Sequence, residues 1–124
     1  MIEIGQKHTS ELTVTDAVTA IAVGSGDMPV LATPMMMALM ENAALLAVKN
    51  ELPEGCTTVG GHIESSHLKP SKIGDVVKAT AEVTAESNTF ELCRLSRTAQ
   101  NSCAYFGCKL WRYSLGDCPR CLVQ

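Results

Sequence analysis

A chain of 124 residues, 46% of them hydrophobic, fills one core and is too short for two ordinary domains. A formal net charge of −3, with no clustered lysines or arginines, leaves no basic face for a phosphate backbone, so nucleic acid is not an expected partner. Met1-Ile2-Glu3-Ile4-Gly5 lacks the basic opening and apolar core of an export signal, and Glu41 and Asn42 break the longest apolar run. The expectation is a cytoplasmic protein, free of membrane, whose six cysteines are reduced.

His8 to Thr15 alternates Thr9, Glu11 and Thr13 with Ser10, Leu12 and Val14, which predicts a strand. Val23-Gly24-Ser25-Gly26-Asp27-Met28-Pro29 then reads as a loop leading into a helix. Thr33-Pro34 predicts the helix start, with the threonine as N-cap and the proline at the first helical position, where its missing N–H costs nothing. Strong helix formers continue from Met35 to about Asn50, and Leu52-Pro53-Glu54-Gly55 ends the run. Met36, Met37, Met40, Ala43, Ala44 and Ala47 make this helix apolar over most of its circumference, so it should be largely buried.

Extended segments follow at Cys56–Leu68, Asp75–Glu86, Thr89–Arg97 and Cys103–Leu115. The clearest alternates Val77, Ala79, Ala81 and Val83 with Lys78, Thr80, Glu82 and Thr84, as a sheet with one covered face requires. One strand, one buried helix and four more strands predict an α+β, hot-dog arrangement: an antiparallel sheet of about five strands wrapped around one long central helix, as a single domain over 1–124.

Glu41 stands in the middle of the most apolar helix, where an ionised carboxylate needs a hydrogen-bond partner, an ion pair or a polar cavity. It lies either on a narrow solvent-facing stripe or in a cleft. His67, near the end of a predicted strand, could act as a general base or could be an ordinary surface histidine; His8 and His62 have no stronger claim. Thr33 is explained as a cap, and Gly60-Gly61 as a bulge or a close backbone approach.

Taken together, Ala32-Thr33-Pro34-Met35-Met36, Leu39-Met40-Glu41-Asn42-Ala43-Ala44, Thr58-Val59-Gly60 and Ser66-His67-Leu68-Lys69-Pro70 with Gly74 resemble the fluoroacetyl-CoA thioesterase family in identity, order and spacing. In that family a threonine, a glutamate eight residues on and a histidine 26 beyond it form the catalytic set, the spacing of Thr33, Glu41 and His67 here. The resemblance implies an acyl-CoA thioesterase that cleaves a short acyl-CoA to free acid and coenzyme A with no metal or other cofactor. It implies His67 as base, Glu41 as nucleophile or orienting carboxylate, Thr33 as a polarising hydroxyl, and Gly60 as a backbone N–H donor to the thioester carbonyl or the attacking water. Met28, Leu31 and Met35, in and after the Gly24–Leu31 loop, are candidates to line a small apolar lid over the substrate. A non-catalytic acyl-CoA-binding protein and a hot-dog hydratase are the alternatives.

Eight helical residues advance about 12 Å, so Thr33 and Glu41 on one straight helix should not touch. Either the chain bends at Thr33 or the site combines two subunits; hot-dog proteins as a class are dimers with sites at the subunit interface, so the resemblance implies a homodimer, possibly a higher oligomer. The resemblance covers roughly residues 1–87. Every arginine, five of the six cysteines and Trp111 lie beyond that point, and Cys108-Lys109-Leu110-Trp111-Arg112 replaces the threonine-histidine-glutamate-arginine run that the family usually carries in its last strand. A shifted reading frame would give such a tail. Cys118-Pro119-Arg120-Cys121 offers only two of the four ligands that a structural zinc needs.

Overall fold

The alternation around His8–Thr15 becomes β1 (Lys7–Thr13), which pairs antiparallel with β3 (Val76–Glu82). The computed structural model describes residues 3–52, 54–83, 89–91, 94–98 and 101–114, with side chains for 3–52, 54–60 and 65–83. On the inner face of the pair, Ser10 lies opposite Ala79 and Leu12 opposite Val77. Val77, Ala79, Ala81 and Val83 are all buried, as their alternation predicts. The outer face sets Lys7 against Glu82 and Glu11 against Lys78, ion pairs of 3.5 Å each, around a 2.8 Å Thr9–Thr80 hydroxyl contact. These exposed pairs fix register more than they add stability.

Between β1 and the main helix come a 3-10 turn (Asp16–Val18) and a short helix α1 (Ala20–Val23), capped by the Thr19 hydroxyl and closed by Gly24 in the left-handed region. The long helix α2 (Thr33–Val48) continues into a 3-10 turn at Lys49–Glu51. It lies chiefly over β1 and β3. Met36, Leu39, Met40, Ala43, Ala44, Ala47 and Val48 are buried against the sheet, where Ala79 and Ala81 leave room for close approach. Asn42 Oδ1 accepts a 2.7 Å hydrogen bond from Ser10, tying the middle of α2 to β1. Burial is one-sided: Met37, Glu41 and Leu45, four residues apart and thus one above another, are half-buried, while Thr33, Pro34 and Ala38 are exposed.

The start of α2 corrects one expectation. Ala32 occupies the cap position and no side chain caps the helix, so Thr33 and Pro34 are its first two residues. Proline is tolerated there because first-turn N–H groups have no intrahelical partner. The Thr33 hydroxyl is therefore free of capping duty.

The remaining strands are β2 (Cys56–His67), β4 (Thr89–Glu91), β5 (Arg94–Thr98) and β6 (Asn101–Ser114). The sheet order is β1-β3-β5-β6-β2, with β4 also on β6. Every pairing is antiparallel. The single strand expected at Thr89–Arg97 is two: β4 and β5 follow one another along the side of β6 opposite β2, so among the described residues five strand positions carry six strands. Among the described strands, β1 and β2 form the edges. Cys56, expected to be a free thiol, is disulfide-bonded, and its partner lies outside the described side chains. The Cys118–Cys121 pair also lies outside the described residues. No helix among the described residues is long and apolar enough to cross a membrane.

Candidate active site

Three backbone ties lock the entrance to α2. Leu31 N–H donates to Ser71 O (2.8 Å), Ala32 N–H donates to Val18 O (2.9 Å), and Val30 bridges to Lys72. Ser71 and Lys72 lie just beyond the end of β2. The same ties thus bring the first residue of α2 to the last residue of β2, where Thr33 Oγ1 and His67 Nδ1 form a 2.9 Å hydrogen bond. The hydroxyl read from the sequence as a cap is spent on the imidazole instead.

Thr33 is exposed and His67 half-buried. The far ring nitrogen, Nε2, is shielded from solvent and has no hydrogen-bond partner. Burial disfavours the imidazolium and pulls the His67 pKa below its ordinary value of 6.5, with a backbone hydrogen bond at Lys69 opposing in part. The ring is therefore neutral at pH 7 and able to accept a proton. Activity that depends on neutral His67 should fall along an acid limb whose midpoint in a kcat/KM profile lies below 6.5. A midpoint above 6.5 would contradict this placement of His67. Stability follows the same sign: below 6.5 the unfolded chain takes up the proton before the folded one, so His67 makes folding less favourable as pH falls.

Glu41 is half-buried between Met37 and Leu45 and lies about 12 Å along α2 from Thr33. α2 is one uninterrupted α-helix from Thr33 to Val48, and among the described residues no hydrogen bond or ion pair joins Glu41 to the Thr33–His67 pair. Gly60 lies on β2 at a break in register, Gly60 facing Leu110 and His62 facing Lys109, so Gly61 is the extra residue of a β-bulge. The glycine pair signalled that bulge. Six strand steps separate Gly60 from His67 once Gly61 is discounted, about 20 Å.

The four residues at the centre of the expected site thus divide within one chain. Thr33 and His67 are joined, while Glu41 and Gly60 lie well away along their own elements. Of the expected lid residues, Met28 is 59% exposed, Met35 is half-buried against the core, and Leu31 is only 1% exposed within the core cluster. His8 is half-buried on β1, and the His62 side chain lies outside those described. Among the described residues no group of three or more His, Cys, Asp or Glu side chains gathers to hold a metal ion.

An antiparallel sheet around one long helix, with a hydroxyl–imidazole pair where the helix begins and the edge strand ends, defines a protein of the hot-dog fold. Residues 14–101 match the fluoroacetyl-CoA-specific thioesterase (FlK) family, and the chain belongs to it. The matched span runs past the change in composition near residue 87 and includes β4 and β5.

Solved structures show the same fold. A fluoroacetyl-CoA thioesterase is 23% identical, with 93% of this chain and 90% of that one covered and a TM-score of 0.82. A variant of it in complex with acetyl-CoA is 21% identical, with 91% and 90% covered and a TM-score of 0.81. A thioesterase superfamily member from Thermus thermophilus is 22% identical, with 93% and 86% covered and a TM-score of 0.80. No curated protein matches the chain significantly.

Proposed function

We propose that this chain hydrolyses short acyl-CoA thioesters to the free acid and coenzyme A, in a site completed by a second copy of the chain. Thioester hydrolysis follows from membership of the family. Acyl-CoA as substrate is supported by the complex of a relative with acetyl-CoA. The observation that carries the site is the Thr33–His67 hydrogen bond.

That bond divides the labour of the imidazole. With Nδ1–H donating to Thr33 Oγ1, the Nε2 lone pair is left to take a proton from water, and the threonine's own proton is free to polarise the thioester carbonyl. Water oxygen then bonds to the acyl carbon, negative charge gathers on the carbonyl oxygen beside the Gly60 N–H, and the C–S bond breaks as His67 returns the proton to sulfur. Glu41 orients the water.

Glu41 and Gly60 cannot reach the pair within one chain, so they are supplied by the second copy. Two features favour such a pairing. The free edge of β2 is twelve residues long, and an unpaired edge of that length invites a partner strand. The half-buried row Met37, Glu41, Leu45 sets a carboxylate in an apolar stripe, a costly placement on a free surface but a useful one where a second subunit closes over it. Met28 and Met35 border the acyl end. We place the reaction in the cytoplasm, and the Cys56 disulfide fits that placement least, since reducing compartments keep thiols free.

The test is free coenzyme A released from acetyl to decanoyl thioesters, followed by chromatography because protein thiols would confuse a thiol dye. Release should be greatest with short chains, and no release from any member would overturn the proposal.

A further inference from the structure

Three described side chains carry a buried polar atom with no hydrogen-bond partner: Thr58 Oγ1, His67 Nε2 and Ser71 Oγ. Ser71 is wholly buried where the chain leaves β2, its backbone holding Leu31. The other two lie on β2, and His67 Nε2 is already placed in the chemistry. A shielded hydroxyl without a partner is rare enough to need a reason.

The bulge gives Thr58 its direction. Residues directly opposite in an antiparallel pair share a face, and the β6 partners of Thr58, Gly60 and His67 are Arg112, Leu110 and Ala104, an even number of residues apart. All three therefore lie on one face of β2, the face on which His67 meets α2. Without the extra residue at Gly61, Thr58 and His67 would fall on opposite faces. Thr58 is about 26 Å from His67 along the strand but only about 7 Å from Gly60. It belongs with Gly60, in the half of the site that meets the Thr33–His67 pair of another copy.

We infer that Thr58 is a further substrate-contacting residue, its hydroxyl donating to the first amide carbonyl of the coenzyme A arm while the thioester carbonyl lies at Gly60. This rests on the function proposed above. The spacing suits it: in an acyl-CoA the thioester carbon and that amide carbon are five bonds apart, about 6 Å when extended, close to the two-residue step from Gly60 to Thr58. The contact is made equally in the ground state and the transition state, so it sets affinity rather than the chemical step.

Thr58→Val removes the hydroxyl at nearly constant volume, and Thr58→Ser keeps it. For Thr58→Val we expect KM to rise about tenfold with kcat within about twofold of wild type, and Thr58→Ser to restore most of the loss. Dimer and Tm should be unchanged or improved, because the valine leaves no orphaned hydroxyl. Calorimetric binding of a non-hydrolysable thioether analogue of acetyl-CoA should weaken by the same factor, so the inference is tested even if wild type releases no coenzyme A. Unchanged KM and analogue affinity, a loss that tracks dissociation of the dimer, or a failure of serine to restore binding would each overturn it. Absence of wild-type turnover with intact, Thr58-dependent analogue binding would instead defeat the hydrolase reading alone.

Discussion

His67→Ala is expected to lower kcat by about 10²- to 10⁴-fold, the range for loss of a positioned general base, while leaving the dimer and the fold in place. The ring is half-buried at the end of β2, and its side-chain hydrogen bond through Nδ1 goes to an exposed threonine, so its removal opens no core cavity. Its Nε2 contributes no hydrogen bond to folding. Stability and activity should therefore separate cleanly. A variant retaining more than about a tenth of wild-type kcat would remove His67 from the role of base, and a variant that fails to fold would show that the Thr33–His67 bond is structural.

The second large effect is a rescue. On the proposed two-copy site, Glu41→Ala and His67→Ala are each expected to be inactive alone, because every site in either homodimer would lack one essential group. When the two are unfolded together and refolded as a mixture, half of the dimers should be mixed. In a mixed dimer, Thr33 and His67 of the Glu41→Ala chain meet Glu41 of the His67→Ala chain, giving one intact site of two. Recovery of about a quarter of wild-type activity is the arithmetic of random pairing with one good site per mixed dimer. No recovery above the separate variants, with mixed dimers demonstrated by mass, would place Glu41 and His67 in one chain. It would also require α2 to bend or shift so as to close the gap of about 12 Å.

Much of this was legible in the residues. Thr33-Pro34 and Leu52-Pro53-Glu54-Gly55 bracket α2 because proline and glycine act on the backbone locally, and no tertiary contact is needed to read them. The alternation of Val77, Ala79, Ala81 and Val83 fixes the covered face of β3 for the same reason. Gly60-Gly61 marked the bulge. The spacing of Thr33 and Glu41 alone poses the central problem of the site, since helical rise separates them.

What stayed hidden depends on contacts distant in sequence. Thr33 satisfies every local rule for a cap, and only the docking of 30–32 onto Val18, Ser71 and Lys72 turns its hydroxyl toward His67. Leu31, expected at a substrate lid, is locked into the core by the same ties. The division of Thr89–Arg97 into β4 and β5 follows from where β6 offers partners, which no period in the strand itself encodes. The Cys56 disulfide likewise depends on a partner brought from elsewhere in the chain.

Thioester hydrolysis is tested most directly by incubating the wild-type protein with the best short acyl-CoA in water enriched in heavy oxygen and following both products by mass and chromatography. Hydrolysis should give free coenzyme A and free acid in equal amounts, with one heavy oxygen in each acid from the first turnover. Acyl-CoA bound but recovered intact, or water added to the acyl chain with the thioester unbroken, would contradict it.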